Sequence, residues 1–310
     1  MIRENRVQWF NKFSERVGIP QEPVLNLATG VKIDIEKFEA IKIATQSYIR
    51  SCFGNPKGLT SEQSILERLN EDAHKLANRT PNGLLVAKKE FQSEFNDVHK
   101  AAASWLRSLD IPHLVDGVFC PISVRVVAGN ADAELNSRPY SSSKLHVDLW
   151  SGDPADTIDV IIPVMGDIER TTVEFHHPPD DFEEKYLRVV DDYDEVKHLA
   201  GQCIKYPINP SFGFAYFLDQ IVLHKTVRNN GGVRVSISFA IRRPSSHSNR
   251  MAIEALCETG RLAHYIDRDE WLGFGTKKFL KFKDTYADAA KGIFTNEPHR
   301  EKVYEVVDRL

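Results

Sequence analysis

The residues best suited to chemistry fall in three short stretches. The first is His146-Val147-Asp148. On a strand, residues i and i+2 share a face, so His146 and Asp148 can address one point in space. The second is His224, 76 positions after Asp148, in a run that ends at the turn-forming Asn229-Asn230-Gly231-Gly232. The third is Arg234-Val235-Ser236, in the strand-like stretch beyond that turn. Positions 224 and 234 are symmetric about 229, which predicts a hairpin bringing His224 and Arg234 together across a ladder, with Ser236 on the arginine's face. Two imidazoles and one carboxylate make a facial triad, three ligands on one side of an octahedron with three positions open. Such a set suits non-haem Fe(II), whose open positions take a bidentate oxo-acid and dioxygen. A guanidinium with a hydroxyl beside it is what the far carboxylate of a dicarboxylate needs.

The elements that must hold these residues change in texture along the chain. The first third reads as helical. In Val86–Leu109, Phe91, Phe95, Val98, Ala102, Trp105 and Leu109 recur at three- and four-residue spacing. Thr60–Leu76 is similar, with Thr60 and Gln63 as a capping box, and Asn55-Pro56 and Thr80-Pro81-Asn82-Gly83 read as turns between helices. From about residue 111 the chain is β-rich, with strands expected at Val118–Val127, Lys144–Leu149, Thr157–Val164, Thr171–Phe175, Gly201–Tyr206, Phe212–Leu218 and Val233–Ile241. Short strands with no helix between them imply an antiparallel sandwich or barrel. After Pro244 helices are expected again at Met251–Ile266 and Thr285–Leu310, which gives an α+β chain with a β core wrapped from both ends.

Composition narrows the function classes. The chain has 310 residues, 42% hydrophobic and 27% charged, a globular balance that excludes wholesale disorder. A net charge of -4 argues against a nucleic-acid binder that works by bulk positive field. No apolar run approaches the ~20 residues of a membrane span, and charges interrupt Met1–Phe13, so a cytoplasmic protein is expected. Cys52, Cys120, Cys203 and Cys257 lack the close spacing of a zinc or redox motif, so thiols are not the expected metal ligands.

With His146-x-Asp148, His224 and Arg234-x-Ser236 in that order, the sequence resembles the Fe(II)- and 2-oxoglutarate-dependent dioxygenases over about residues 118–243. The resemblance implies a double-stranded β-helix core (jelly-roll, cupin-like) flanked by N- and C-terminal helices. It implies one catalytic domain over 1–310, with a helical flank at 1–110, the core at 111–243 and a second helical flank at 244–310. His146, Asp148 and His224 match the family's iron ligands, and Arg234 and Ser236 match its clamp on the 5-carboxylate of 2-oxoglutarate. The implied reaction takes 2-oxoglutarate and O2 as cosubstrates, releases succinate and CO2, and hydroxylates an unactivated C–H bond. Halogenases of this family carry a small residue in place of the carboxylate, so Asp148 disfavours halogenation. The wording HVDLWSGDP, VIIPVMGD and LHKT is similar to bacterial sugar-modifying oxygenases, and an acidic sugar such as Kdo of lipopolysaccharide heads the substrate candidates, as a small molecule or a glycolipid. An amino-acid or natural-product hydroxylase is the near alternative, and a homo-oligomer is compatible with the sequence. A cupin-like metal isomerase or hydrolase would use the same three ligands and leave Arg234 and Ser236 unemployed. A non-catalytic sugar-binding module would need none of them.

Other residues have two readings each. Arg125, between Val124 and Val126, either enters the interior to meet the 1-carboxylate of 2-oxoglutarate or an anionic substrate, or points to solvent. Tyr140, Ser141 and Lys144 precede the H-x-D motif and either contact substrate or form a polar loop; Trp150 walls the site or packs in the core. Arg125, Arg138 and Lys144 together favour an anionic substrate. Adjacent His176 and His177 point to opposite faces of a strand and do not serve one ion. Asp219 orients an imidazole or ends a ladder. Lys277, Lys278, Lys281 and Lys283, among Phe279, Phe282 and Tyr286, form a helix with a solvated lysine face or a grip for an anion or partner.

Overall fold

Strict alternation along Val233–Arg242 (VRVSISFAIR) puts Val235, Ile237, Phe239 and Ile241 on one face and Arg234, Ser236, Ser238 and Ala240 on the other. The structure, a computed structural model, describes residues 2–17, 27–128, 137–180, 182–229, 231–244, 265–282 and 304–308. Its strands are β1 (Ala28–Lys32), β2 (Gly117–Phe119), β3 (Ser123–Ala128), β4 (Thr157–Gly166), β5 (Thr171–His176), β6 (Phe214–Asp219), β7 (Leu223–Arg228), β8 (Val233–Arg242), β9 (Tyr265–Asp267), β10 (Lys278–Phe282) and β11 (Tyr304–Asp308). A seven-stranded antiparallel sheet runs β1-β6-β4-β8-β2-β9, with β3 also paired to β8, and β5 pairs with β7 in a separate sheet.

The apolar face of the large sheet is covered by helices α1 (Ile2–Arg16), α2 (Ile35–Cys52), α3 (Glu62–Asp72) and α4 (Gln92–Leu106). Phe217 of β6 meets Phe13 of α1 at 5.1 Å and Trp105 of α4 at 6.1 Å between ring centroids. In register, Val160 of β4 pairs with both Phe217 and Phe239, which extends this apolar layer across three strands. The opposite face, carrying Arg234 and Ser236, is turned towards the β5–β7 sheet. The α3 cap falls at Ser61, with Ser64 completing the capping box, one residue beyond the expected Thr60–Gln63 pair. Helix α4 starts at Gln92, later than expected, because residues 79–86 are used as sheet: Leu85 donates to the Val124 carbonyl and Val126 to that of Gly83. No helix among the described residues is long and apolar enough to cross a membrane.

Several expected strands take another form. Val118–Val127 divides into β2 and β3 at Cys120-Pro121, since proline has no N–H to continue a ladder. Lys144–Leu149 is not a strand: His146 alone makes a bridge, to His224, and a 3-10 turn follows at Asp148–Ser151. Gly201–Tyr206 is reduced to a single bridge between Lys205 and His176. The expected hairpin of His224 and Arg234 does not form, because β7 pairs with β5 while β8 joins the large sheet. The chain thus reverses after Arg228 and changes sheets in the same step. Of the helices expected at Met251–Ile266 and Thr285–Leu310, only residues 265–266 and 304–308 are described, and these lie in β9 and β11; a five-residue helix at Arg268–Leu272 and β10, which pairs with β11, lie between. The lysine-rich run follows a period of two, with Leu280 and Phe282 buried and Lys281 exposed, so it is a strand and not an amphipathic helix. Residues 251–264, with Cys257, and residues 283–303 lie outside the described set.

His99 ties the helical layer to the site-bearing sheet. Its Nδ1 faces the Phe95 carbonyl at 3.0 Å, and its Nε2 accepts from Ile122 N–H, just before β3, at 2.9 Å. Full burial pushes this imidazole down to about 4 from 6.5, so the folded protein holds it neutral while the unfolded chain takes up a proton between those values. The unfolded state binds more protons in that window, so stability is complete above pH 6.5 and falls as pH drops towards 4. The loss is roughly 3 kcal/mol from this group. Denaturant titrations at pH 7 and 5 should show the decline, and a His99→Gln variant should flatten it; an equal slope in the variant would assign the effect elsewhere.

Candidate functional site

His146 and His224 come together through their backbones. Each donates its N–H to the other's carbonyl, at 3.0 and 2.7 Å, so the pair is directly opposed and the two side chains share a face. Their rings lie 4.5 Å apart. The 3-10 turn that begins at Asp148 folds its carboxylate back, and Oδ1 lies 3.6 Å from His146 Nε2 and 3.7 Å from His224 Nε2. Each outer ring nitrogen is occupied by a carbonyl: His146 Nδ1 by Lys144 O at 2.7 Å, and His224 Nδ1 by Val222 O at 3.4 Å. Carbonyls only accept, so both Nδ1 atoms carry the proton and both Nε2 lone pairs face Asp148. These three residues offer ligand atoms within 4.8 Å of one another, the one such group of three or more among the described residues.

The protonation states suit a metal. Burial first, and then the neighbouring His146, push His224 down to about 4, so it is neutral at pH 7. Burial alone would raise the Asp148 carboxyl, but His224, His146 and Arg125 outweigh it and hold it well below the usual carboxylate range. Neutral imidazoles and an anionic carboxylate are the ligand forms. Two nitrogens and one oxygen, without a thiolate, fit a divalent transition ion such as Fe(II). Behind the site, Gln220 accepts from Leu149 N–H at 3.1 Å and donates to Asp159 at 2.9 Å. Burial and the neighbouring carboxylates Asp148, Asp153 and Asp219 raise Asp159 well above the carboxylate range.

The interior face of the large sheet faces this triad. Arg125 of β3 is paired with Ser236 of β8, and Val127 with Arg234, so Arg125, Arg234 and Ser236 share one face. Arg125 points inward, close enough to act on Asp148, His224 and Arg234. Arg234 is 2% exposed, and its Nε has no hydrogen-bond partner. Burial, then Arg125 and Arg228, push it down to about 9, so it is still charged at neutral pH. A buried guanidinium without a carboxylate is costly unless an anion comes to it. Arg234 and His224 thus lie on strands of two different sheets and not along one hairpin.

Tyr140, Lys144 and Trp150 have their polar atoms engaged by one neighbouring segment. Tyr140 Oη donates to Val190 O at 2.7 Å, Trp150 Nε1 to Tyr186 O at 2.9 Å, and Lys144 Nζ to Asp192 and Asp194 at 2.7 and 2.6 Å. Tyr193 of that segment stacks on the His146 ring at 4.5 Å and 14°. These three residues brace the ligand-bearing loop and are not free groups for a substrate. Asp219 does not orient an imidazole; it is fully buried and pairs with Arg6 Nε at 2.6 Å, anchoring α1. His176 lies 3.6 Å from Glu174, and His177 stacks on Tyr206, so neither joins the triad. The cysteines described, Cys52, Cys120 and Cys203, are free thiols.

One residue unmarked in the sequence ties down the loop before His146. Asn82 receives Arg138 Nη2 at 2.7 Å, donates to Tyr140 O at 2.9 Å and receives Ser142 N–H at 3.3 Å. It is carried by the turn expected only to separate helices. That turn runs against β3 so closely that a Cβ on Gly83 would sit 2.4 Å from Val126 O, at a φ of +86°. Gly83→Ala should destabilise the protein by about 1–3 kcal/mol through clash and strain together. A denaturant midpoint unchanged by the substitution would show that the turn is not packed on β3 in solution.

No protein-family model matches the sequence, and no curated protein matches it significantly. Solved structures do align. The non-heme alpha ketoglutarate dependent carbocyclase SnoK from nogalamycin biosynthesis gives a TM-score of 0.37 at 10% identity, over 94% of this chain and 98% of its own. AviO1 from Streptomyces viridochromogenes Tue57 gives 0.36 at 14%, over 78% and 96%. An N-substituted L-amino acid dioxygenase from Burkholderia ambifaria AMMD gives 0.34 at 12%, over 69% and 82%. Overlap this loose leaves the chemistry of the chain to its own side chains.

Proposed function

We propose that the protein is an Fe(II)- and 2-oxoglutarate-dependent dioxygenase that hydroxylates a small anionic substrate. One observation carries the reading: a His-Asp-His set with both Nε2 lone pairs aimed at one carboxylate, facing a buried arginine whose Nε has no partner. His146 Nε2, His224 Nε2 and Asp148 would hold the ion. Fe(II) there would supply the activation of O2, at the expense of 2-oxoglutarate, that converts a C–H bond to C–OH and releases succinate and CO2. Arg234, with Ser236 beside it, would receive the distal carboxylate of 2-oxoglutarate, and Arg125 is placed for the end nearer the triad. Lys144 O and Val222 O fix the imidazole tautomers, and Tyr193 holds the His146 ring in plane.

The chain path supports a double-stranded β-helix core within a single catalytic domain. From β3 in the large sheet it passes to His146 beside β7, back to β4, out to β5 and the Lys205 bridge, back to β6, out to β7 and back to β8. An acidic sugar such as Kdo is the substrate candidate favoured by the motif wording and by the interior arginines. Anaerobic addition of Fe(II) and then 2-oxoglutarate should produce a weak visible charge-transfer band. Absence of that band with both bound would turn the reading towards a metal hydrolase or isomerase.

A further inference from the structure

Five guanidinium groups from five segments lie in a chain of neighbours that begins beside the triad. Arg125 comes from β3, Arg234 from the start of β8 and Arg228 from the end of β7. Arg79 comes from the stretch paired with β3, its Nε donating to Val126 O at 3.1 Å, and Arg138 from the loop before His146. Alternation along β7 puts His224, Thr226 and Arg228 on one face, so Arg228 faces the same interior as the triad. Arg79 and Arg138 both lie close enough to Arg228 to act on its charge, and Arg228 in turn acts on Arg234.

Like charges gathered in a half-buried place repel one another and lose hydration. A cluster retained for stability would hold carboxylates between them. None of the five makes an ion pair among the described residues, and the Nε atoms of Arg138, Arg228 and Arg234 are buried without hydrogen-bond partners. On the proposed function the distal carboxylate of 2-oxoglutarate would offset Arg234, with Arg125 nearer the triad. Among the described residues, Arg79, Arg138 and Arg228 are left without an anion. Other buried or half-buried cations do have carboxylates: Lys144 has Asp192 and Asp194, Arg6 has Asp219 and Arg242 has Asp156.

We infer that Arg79, Arg138 and Arg228 form a second anion subsite, beside the position proposed for the cosubstrate, that binds a carboxylate or phosphate group of the substrate. This rests on the proposed oxygenase reading for what occupies Arg234, and it deepens that reading by naming the residues that select the substrate. Three guanidinium groups on separate segments can each give paired N–H donors to oxyanion oxygens. The Asn82 bridge to Arg138 sets the position of one of them.

The test uses the full chain loaded with Ni(II) and saturated with 2-oxoglutarate, so that the cosubstrate is in place first. Calorimetric titration with inorganic phosphate, and separately with malonate, should show saturable binding of at least one of them. The stronger of the two identifies a phosphate-bearing or a carboxylate substrate. The double variant Arg138→Gln/Arg228→Gln should weaken that binding at least roughly tenfold, with 2-oxoglutarate affinity held within about threefold. If the double variant does not fold, Arg138→Gln alone should weaken it by about threefold or more. No saturable binding of either probe, binding unchanged in the variants, or displacement of 2-oxoglutarate one for one would overturn the assignment. Should 2-oxoglutarate itself fail to bind the Ni(II) protein, the oxygenase reading falls. The same probe titrations without it would still decide whether the arginines bind an anion.

Discussion

Asp148→Ala should leave a folded protein that no longer retains a divalent ion and no longer consumes 2-oxoglutarate. The carboxylate is the anionic member of the triad, and its Oδ1 is the atom both imidazoles face, at 3.6 and 3.7 Å. Loss of a residue that merely supports a ligand reduces metal affinity roughly 10–100-fold, and loss of a direct ligand should exceed that. Its side chain is 30% exposed, so the truncation leaves no large cavity and folding should survive. Metal content after dialysis, read beside the thermal midpoint of the metal-free protein, checks this. Full metal retention with lost turnover would move Asp148 from ligand to another role. His146→Ala is expected to act in the same direction, with an added loss of stability from the Tyr193 stack.

Arg234→Met should separate the cosubstrate from the metal. The methionine keeps much of the buried volume and removes the charge, so the variant should fold at least as well as the parent: a partnerless buried cation is replaced by an apolar group. Its affinity for 2-oxoglutarate should fall by the equivalent of about 2–5 kcal/mol, the range for loss of one partner of a buried charge pair. That is roughly 30-fold to several thousand-fold. Metal binding should stay within a few fold, because Arg234 touches none of the ligands. Equal loss of metal and of 2-oxoglutarate would mark the arginine as structural.

The candidate ligand set was legible because its members are brought together by local rules. His146 and Asp148 are two apart, and Arg234 and Ser236 sit on the polar face of an alternation that β8 keeps over ten residues. Arg228 carried the same signal, being four residues from His224 on the same face, but a single arginine in a run of mixed polarity gains meaning only beside Arg79 and Arg138, which the chain delivers from remote positions. The hairpin failed for a physical reason. Asn229-Asn230-Gly231-Gly232 specifies a reversal, whereas the choice of sheet after the reversal is made by β3 and β4, which flank β8 on either side. Lys144 read as a free cation since its partners Asp192 and Asp194 lie about fifty positions on. Lys278–Phe282 is too short for its periodicity to separate helix from strand, and its β11 partner settles the matter.

The lone backbone bridge between His146 and His224 has a mechanical consequence. Three backbone hydrogen bonds, the His146–His224 pair and Thr226 N–H to Ser142 O, and a brace of side chains hold the ligand loop to β7, while the large sheet is held by long continuous ladders. This seam is short beside those ladders. An ion seated across it would act as a cross-link between positions 78 apart in sequence, closing a loop that the unfolded chain leaves free. Ligation at a hundred times the dissociation constant would add about 2.7 kcal/mol to stability. The protein's thermal resistance thus becomes a gauge of how fully it is loaded.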